Sequence, residues 1–164
     1  MLVRDSDVAN MIEDQVQSLL DIGAVVISSA GDAADDACMY VPARIPGVIT
    51  VAAAEMQSIL DGVPWEGTNY GRCLTLWAPG ARIESASANS SLTAVFSGTG
   101  PSMAIVSGVV AQMLETYTSK AVMDEVVRSS SNKVMKWRTP DTIPFFAQIE
   151  LNSDRCPCAP VKLK

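Results

Sequence analysis

Histidine is absent from all 164 residues. That absence removes the side chain most used as a general base near neutral pH, and the commonest metal ligand. Aromatic residues make up only 5%, which suits an Ala- and Val-rich layered domain better than an aromatic-rich β-sandwich. No apolar run approaches the roughly 20 residues that span a bilayer. Lys and Arg never gather into a long run, and 12 basic against 18 acidic residues leave a net charge of −6. Such a surface suits neither nucleic acid nor an anionic membrane. The opening residues, Met1-Leu2-Val3-Arg4-Asp5, place charge where a secretory leader has its apolar stretch, so no signal peptide is read there. Cysteine is sparse: Cys38 and Cys73 lie in the main body, and Cys156 and Cys158 lie in a Pro-flanked tail. Without His, these spacings make no zinc site, and Cys156-Pro157-Cys158 is too short for a redox C-x-x-C. No metal and no cofactor are expected.

What is present is apolar material for a core, at 48% of the chain. The length fits one domain, read as residues 1–147 with a tail at 148–164. Val8, Met11, Ile12, Val16, Leu19 and Leu20 recur at helical spacing from Asp7 to about Asp21, with Asp5, Ser6 or Asp7 to cap and Gly23 to stop. Ala24–Ser29 is a β-branched run without alternation, the pattern of a strand covered on both faces in a parallel sheet, and Val48–Ala54 reads as a second buried strand. Leu74–Ala78 predicts a third strand, and Arg82–Ser85 and Thr93–Phe96 two weaker ones. The Gly- and Pro-punctuated stretch from Gln57 to Gly71 reads as irregular. A long helix is predicted over Ser102–Thr118, its stripe running through Val106, Val109, Val110, Met113, Leu114 and Tyr117, and a further helix follows from Ser119. Alternating helices and buried strands predict a three-layer α/β/α architecture with a largely parallel sheet.

Several stretches, in order, resemble the subtilisin-like serine proteases (the subtilases), particularly their proteinase K and proprotein-convertase branches. Val25-Val26-Ile27-Ser28-Ser29-Ala30-Gly31-Asp32 resembles the strand ending in the family's Ala-Gly-Asn. Tyr40-Val41-Pro42-Ala43 with Pro46-Gly47-Val48-Ile49, Asn69-Tyr70-Gly71 with Trp77-Ala78-Pro79-Gly80, and Ser97-Gly98-Thr99 with Val106-Ser107-Gly108 continue the series. The resemblance covers roughly residues 7–130 and implies the C-terminal half of a subtilisin fold, downstream of the catalytic Asp and His.

By that resemblance Asp32 stands where the family's oxyanion-hole Asn donates a hydrogen bond, and a carboxylate cannot donate. The family's Gly-Thr-Ser-Met-Ala becomes Gly98-Thr99-Gly100-Pro101-Ser102-Met103-Ala104, so Gly100 takes the nucleophile's place. Ser102 arrives two residues late, about 200° and 3 Å along a helix. It is the displaced nucleophile candidate, and a plain helix-start serine is the competing reading, with Pro101 as first helical residue. The resemblance implies a substrate-binding wall at Ser29, Ala30 and Gly31, and a disulfide joining Cys38 to Cys73. It implies calcium on the carbonyls of Pro46 and Val48, but the anionic ligand's position holds Thr75. It also suggests a secretory or extracellular setting.

The function expected is therefore that of a catalytically incompetent subtilase homologue or fragment with a binding or structural role. The alternative is the C-terminal part of an active secreted serine endopeptidase whose Asp and His come from an upstream segment. A half-sheet should leave an unpaired edge, so the partners expected are proteins or peptides: another copy or a complementary protease half.

Overall fold

The computed structural model describes residues 2–4, 6–57, 62–88 and 92–130. The tail at 148–164, with Cys156 and Cys158, lies outside the described residues, as do Asp5 and the boundary at 147.

Strand β1 (Val3–Arg4) leads into helix α1 (Asp7–Asp21). Ser6 caps that helix, its hydroxyl accepting from the Ala9 N–H at 3.2 Å. The helix stops in a Schellman turn: Gly23, at φ +86°, donates to Leu20 O and Ala24 donates to Leu19 O. That turn consumes the start of the predicted strand, so β2 is only Ile27–Ser29. A short 3₁₀ turn at Ala37–Met39 precedes β3 (Tyr40–Val41), which pairs antiparallel with β1. Strand β4 (Ile49–Met56) is fully buried from Ile49 to Ala54. β5 (Gly62–Pro64) falls in the stretch expected to be irregular. β6 (Leu76–Pro79) starts two residues after Leu74, and β7 (Ile83–Ala86) and β8 (Thr93–Phe96) form an antiparallel ribbon.

β4 is the centre of the main sheet. Ser29 and Leu76 both pair with Val51, so parallel strands β2 and β6 lie on opposite edges of β4. Pro64 and Pro79 both pair with Ala54, so antiparallel β5 continues the β2 side. Among the described residues, the outer edge of β2 carries no strand.

Helix α2 (Thr99–Met113) and helix α3 (Ser119–Ser129) cover one face, with Val106, Val110, Val122 and Val126 packed on Ile49, Val51, Leu76 and Ala78. The other face of β4 and β6 presents Ala52, Ala54 and Trp77 to Ala30, Ala37 and Leu74. There α1 lays Ala9, Ile12, Val16 and Leu20 against Val26, Val41, Ile45 and Val48. Val26 and Val48 immediately precede Ile27 and Ile49, which face α2, so alternation puts α1 and α2 on opposite sides of the sheet.

Two expectations need correction. Val8, Met11 and Leu19 share the helical spacing of Ile12, Val16 and Leu20 but are exposed rather than packed. The long helix begins at Thr99 and ends at Met113, leaving Leu114 and Tyr117 exposed in the following turns rather than in its stripe. No helix among the described residues is long and apolar enough to cross a membrane.

Candidate functional site

The site is a junction of three chain segments at the C-terminal end of the parallel strands. β2 runs out through Ala30, whose N–H still bonds to Val51 O at 2.8 Å. Gly31 then turns the chain at φ +107°. A Cβ there would lie 2.4 Å from Asn69 Nδ2 and 2.8 Å from Leu2 Cδ1, so only glycine fits. Of the expected substrate wall, Ser29 is half-buried and Ala30 and Gly31 are buried, with Leu2 lying over Gly31.

Asn69 shapes the loop that follows. It is 0% exposed, donates from Nδ2 to Ala30 O at 2.9 Å, and accepts at Oδ1 from the Ala33 and Asp35 N–H groups at 3.0 and 3.1 Å. Its own N–H donates to Gly31 O at 2.8 Å. Asn69 thus supplies the loop with partners that no regular strand could offer. The sequence pattern picked it out within Asn69-Tyr70-Gly71 but not its role; a lone Asn beside a turn carries no signal of its reach.

The loop presents Asp32 to the start of α2. Asp32 Oδ1 accepts from the Thr99 backbone N–H and from Thr99 Oγ1, both at 2.8 Å. Thr99 Oγ1 in turn accepts from the Gly31 N–H at 3.1 Å. Gly98 is the N-cap residue, with φ +143° and no capping side chain of its own. A Cβ on it would come within 2.9 Å of Asp32 Oδ2. The distant carboxylate therefore does the capping, at the end of the helix where negative charge is favoured.

This cap accounts for the early helix start. Thr99 is the first helical residue and Pro101 the third, not the first. An N–H in the first turn has no partner within the helix, so proline loses nothing there.

Gly100, in the second helical position, faces open space: a Cβ built on it meets nothing within 4 Å. Ser102 points the other way. It is 0% exposed, and its Oγ lies 3.2 Å from Ala78 O and 3.3 Å from Gly98 O, donating to these carbonyls. Gly80 makes room for it, because a Cβ at Gly80 would stand 2.1 Å from Ser102 Oγ and 2.6 Å from Gly98 O. Asp32 and Ser102 thus meet the same helix start from opposite sides, one exposed and one sealed against β6.

Beside the Asp32 loop opens a cleft of about 530 Å³, reaching Ala34, Trp65, Tyr70, Trp77, Arg82 and Ser97. Trp65 folds over Gly67, where a Cβ would come within 2.5 Å of the ring. Arg82 pairs with Glu55. Sequence reasoning missed this cleft; Trp65 followed by Gly67 is the signal that could have flagged it.

Cys38 and Cys73 form a disulfide with Cα atoms 5.3 Å apart, tying the 3₁₀ turn to the segment before β6. At the place where calcium was considered, Thr75 Oγ1 donates to Val48 O at 3.3 Å and accepts from the Thr50 N–H at 3.0 Å. A neutral hydroxyl engaged with the carbonyl that would serve as ligand does not fit a hard cation.

A family model described as the subtilase family matches residues 3–141. Mouse (Mus musculus) proprotein convertase subtilisin/kexin type 9 is 39% identical over 125 residues, which cover 73% of this chain and 18% of that protein. The rat (Rattus norvegicus) protein of the same name is 41% identical over 107 residues, covering 65% of this chain and 16% of its own length. The chain thus spans less than a fifth of these relatives. A solved cold-adapted subtilisin-like serine proteinase superposes with a TM-score of 0.76 at 27% identity, covering 89% of this chain and 51% of that one. The prenylagaramide maturation protease PagA shares the fold, with a TM-score of 0.74 at 24% identity over 90% of this chain and 56% of that one. With the Asp32 loop, the Thr99 helix start and the Cys38–Cys73 bridge in the order that its motifs required, this chain belongs to the subtilase family and carries part of its α/β protease domain.

Proposed function

We propose that this chain is a catalytically incompetent subtilase homologue whose surviving role is to bind a protein or peptide. The observation that carries the reading is the state of Ser102. A serine nucleophile needs an accessible hydroxyl with a base in hydrogen-bond reach. Ser102 Oγ has no exposure and donates to backbone carbonyls, which cannot take its proton. The position open to a substrate belongs to Gly100, and the chain has no His. Asp32 adds a negative charge where the family's reaction develops one, and losing the usual donor there costs about 3–4 kcal/mol of transition-state stabilisation.

Two features support binding. The aromatic cleft at Trp65 and Tyr70 offers a concave surface beside the former site. The open edge of β2 supports a partner that supplies a strand, whether another copy or a complementary protease half. A second reading draws on the 51% coverage of the solved proteinase: the chain is the C-terminal part of an active endopeptidase, completed by a segment bearing Asp and His.

Incubation with a fluorophosphonate probe separates the two. No covalent labelling is expected, alone or after adding an Asp- and His-bearing subtilase N-terminal half. Stoichiometric labelling that vanishes in Ser102→Ala would overturn the proposal. For the partner, sedimentation and hydrogen exchange decide: a monodisperse monomer with strongly protected amides at Ile27–Ser29 would rule out strand supply at that edge.

A further inference from the structure

Helix α1 is apolar over more of its surface than the core uses. Ala9, Ile12, Val16 and Leu20 pack into the core. Beside them on the helix surface, Val8, Met11, Leu19 and the C-cap residue Ile22 are 51%, 69%, 46% and 80% exposed. At 100° per residue these four, with Gln15 among them, fall within an arc of about 80° and extend for about 21 Å along the helix. The stripe has the width of a seam that receives another helix, with Val8 and Ile22 two heptads apart, polar Gln15 midway between them, and Met11 and Leu19 filling the space between.

Charge says which kind of helix. Asp7, Asp14 and Asp21 stand seven residues apart, all exposed, in a row directly flanking the apolar stripe. The fifteen residues of α1 contain no Lys or Arg. Among the described residues, the only acid of α1 with a cation is Glu13, which pairs with Arg44 at 3.2 Å. A second copy would bring an identical acidic row to the seam, so self-pairing sets like charges together. An anionic membrane is disfavoured for the same reason, since helices that lie on such surfaces carry Lys and Arg beside their apolar face.

We infer that the solvent side of α1 is a docking face for a basic amphipathic helix of a protein partner. Apolar side chains of that helix cover Met11, Leu19 and Ile22, and its Lys or Arg residues meet the Asp7–Asp14–Asp21 row. The apolar stripe supplies affinity, and the acidic row supplies orientation and salt dependence.

The test uses the full chain and a fluorescent 21-residue synthetic helix with Leu and Ile at the seam positions and Lys beside them. Saturable binding that weakens with salt is expected. So is a loss of about tenfold or more in affinity for Met11→Asp and for Ile22→Asp, both at exposed positions and checked for an unchanged circular-dichroism spectrum. Asp14→Lys should weaken binding as well, and the peptide with Glu in place of Lys should not bind. The inference is overturned if no saturable binding occurs, or if a scrambled peptide of equal charge binds as well. It is also overturned if Met11→Asp changes only the chain's own association or its adsorption to phosphatidylserine vesicles.

Discussion

Replacing Asp32 with Ala tests whether this carboxylate is a helix tether. The substitution strips two hydrogen bonds of 2.8 Å from Thr99, one to its N–H and one to its hydroxyl. Charge-assisted bonds contribute about 1.5–3 kcal/mol when dry, but Asp32 is exposed and water can replace part of what it supplies. The loss of an N-cap side chain, about 0.5–2 kcal/mol, is therefore the better guide, and about 1–2 kcal/mol is expected. For a domain of this size that lowers Tm by roughly 3–6 °C. Asp32→Asn keeps an acceptor oxygen but loses the charge, and should cost about 0.5 kcal/mol. Thr99→Val should cost about 1–3 kcal/mol, because it leaves the Gly31 N–H without its acceptor. Urea unfolding followed by tryptophan fluorescence gives all three values, and the double variant should show a coupling of at least about 0.5 kcal/mol. Strict additivity, or an Asp32→Asn variant more stable than the parent, would refute the tether and return Asp32 to an ordinary acidic turn residue.

Two further outcomes follow from the same structure. Gly80→Ala drives a methyl group into Ser102 Oγ and the Gly98 carbonyl and should destabilise by about 1–3 kcal/mol; Gly100→Ala, only two residues beyond Gly98 but facing open space, should be neutral or stabilise by up to about 1 kcal/mol, so equal effects in thermal unfolding would show that the helix start is misplaced. Replacing both Cys38 and Cys73 with Ser opens a loop of 35 residues and should lower stability by roughly 4 kcal/mol in the chain-entropy model, with denaturant midpoints of the oxidised parent and the variant as the check; a difference below about 1 kcal/mol would place the constraint in structure that persists on unfolding.

The parts of the fold legible in the sequence are those whose cause is local. Ser6 before an apolar period and Gly23 after it mark α1 because capping needs only neighbouring residues. β4 is legible because a buried parallel strand must be apolar on both faces, and Ile49–Ala54 is but for Thr50, whose hydroxyl donates to Ala43 O. β5 is not, because Gly62-Val63-Pro64 has the composition of a turn and is a strand only through its pairing with Ala54, Glu55 and Met56. Periodicity also could not divide the broad apolar arc of α1, since nothing within a helix says which part of it meets a sheet. At the site, motif order located Asp32, Gly98-Thr99 and the Cys38–Cys73 pair. What it could not give was the start of α2, because the group that fixes the start lies 67 positions away in the chain.

The bonding within the site bears on the proposed non-catalytic reading by a more general route. A catalytic centre of this class holds donors in reserve, aimed at an oxygen that becomes charged only in the transition state. Here the polar groups at the junction bond to one another. The Gly31 N–H is taken by Thr99 Oγ1, the Thr99 hydroxyl and N–H by Asp32, and the Ser102 hydroxyl by Ala78 and Gly98. Asn69, the buried amide nearest the loop, is taken by Ala30, Ala33 and Asp35. A substrate carbonyl brought to this junction would compete with these bonds, and the Gly100 N–H, in the first turn of α2, is left as a donor with no partner within its helix. The same closure ties α2 to the loop after β2 through Thr99 and to β6 through Ser102, while Asn69 holds the loop itself. On the proposed reading, recognition falls to the surfaces that remain open: the Trp65 cleft, the outer edge of β2 and the exposed apolar side of α1.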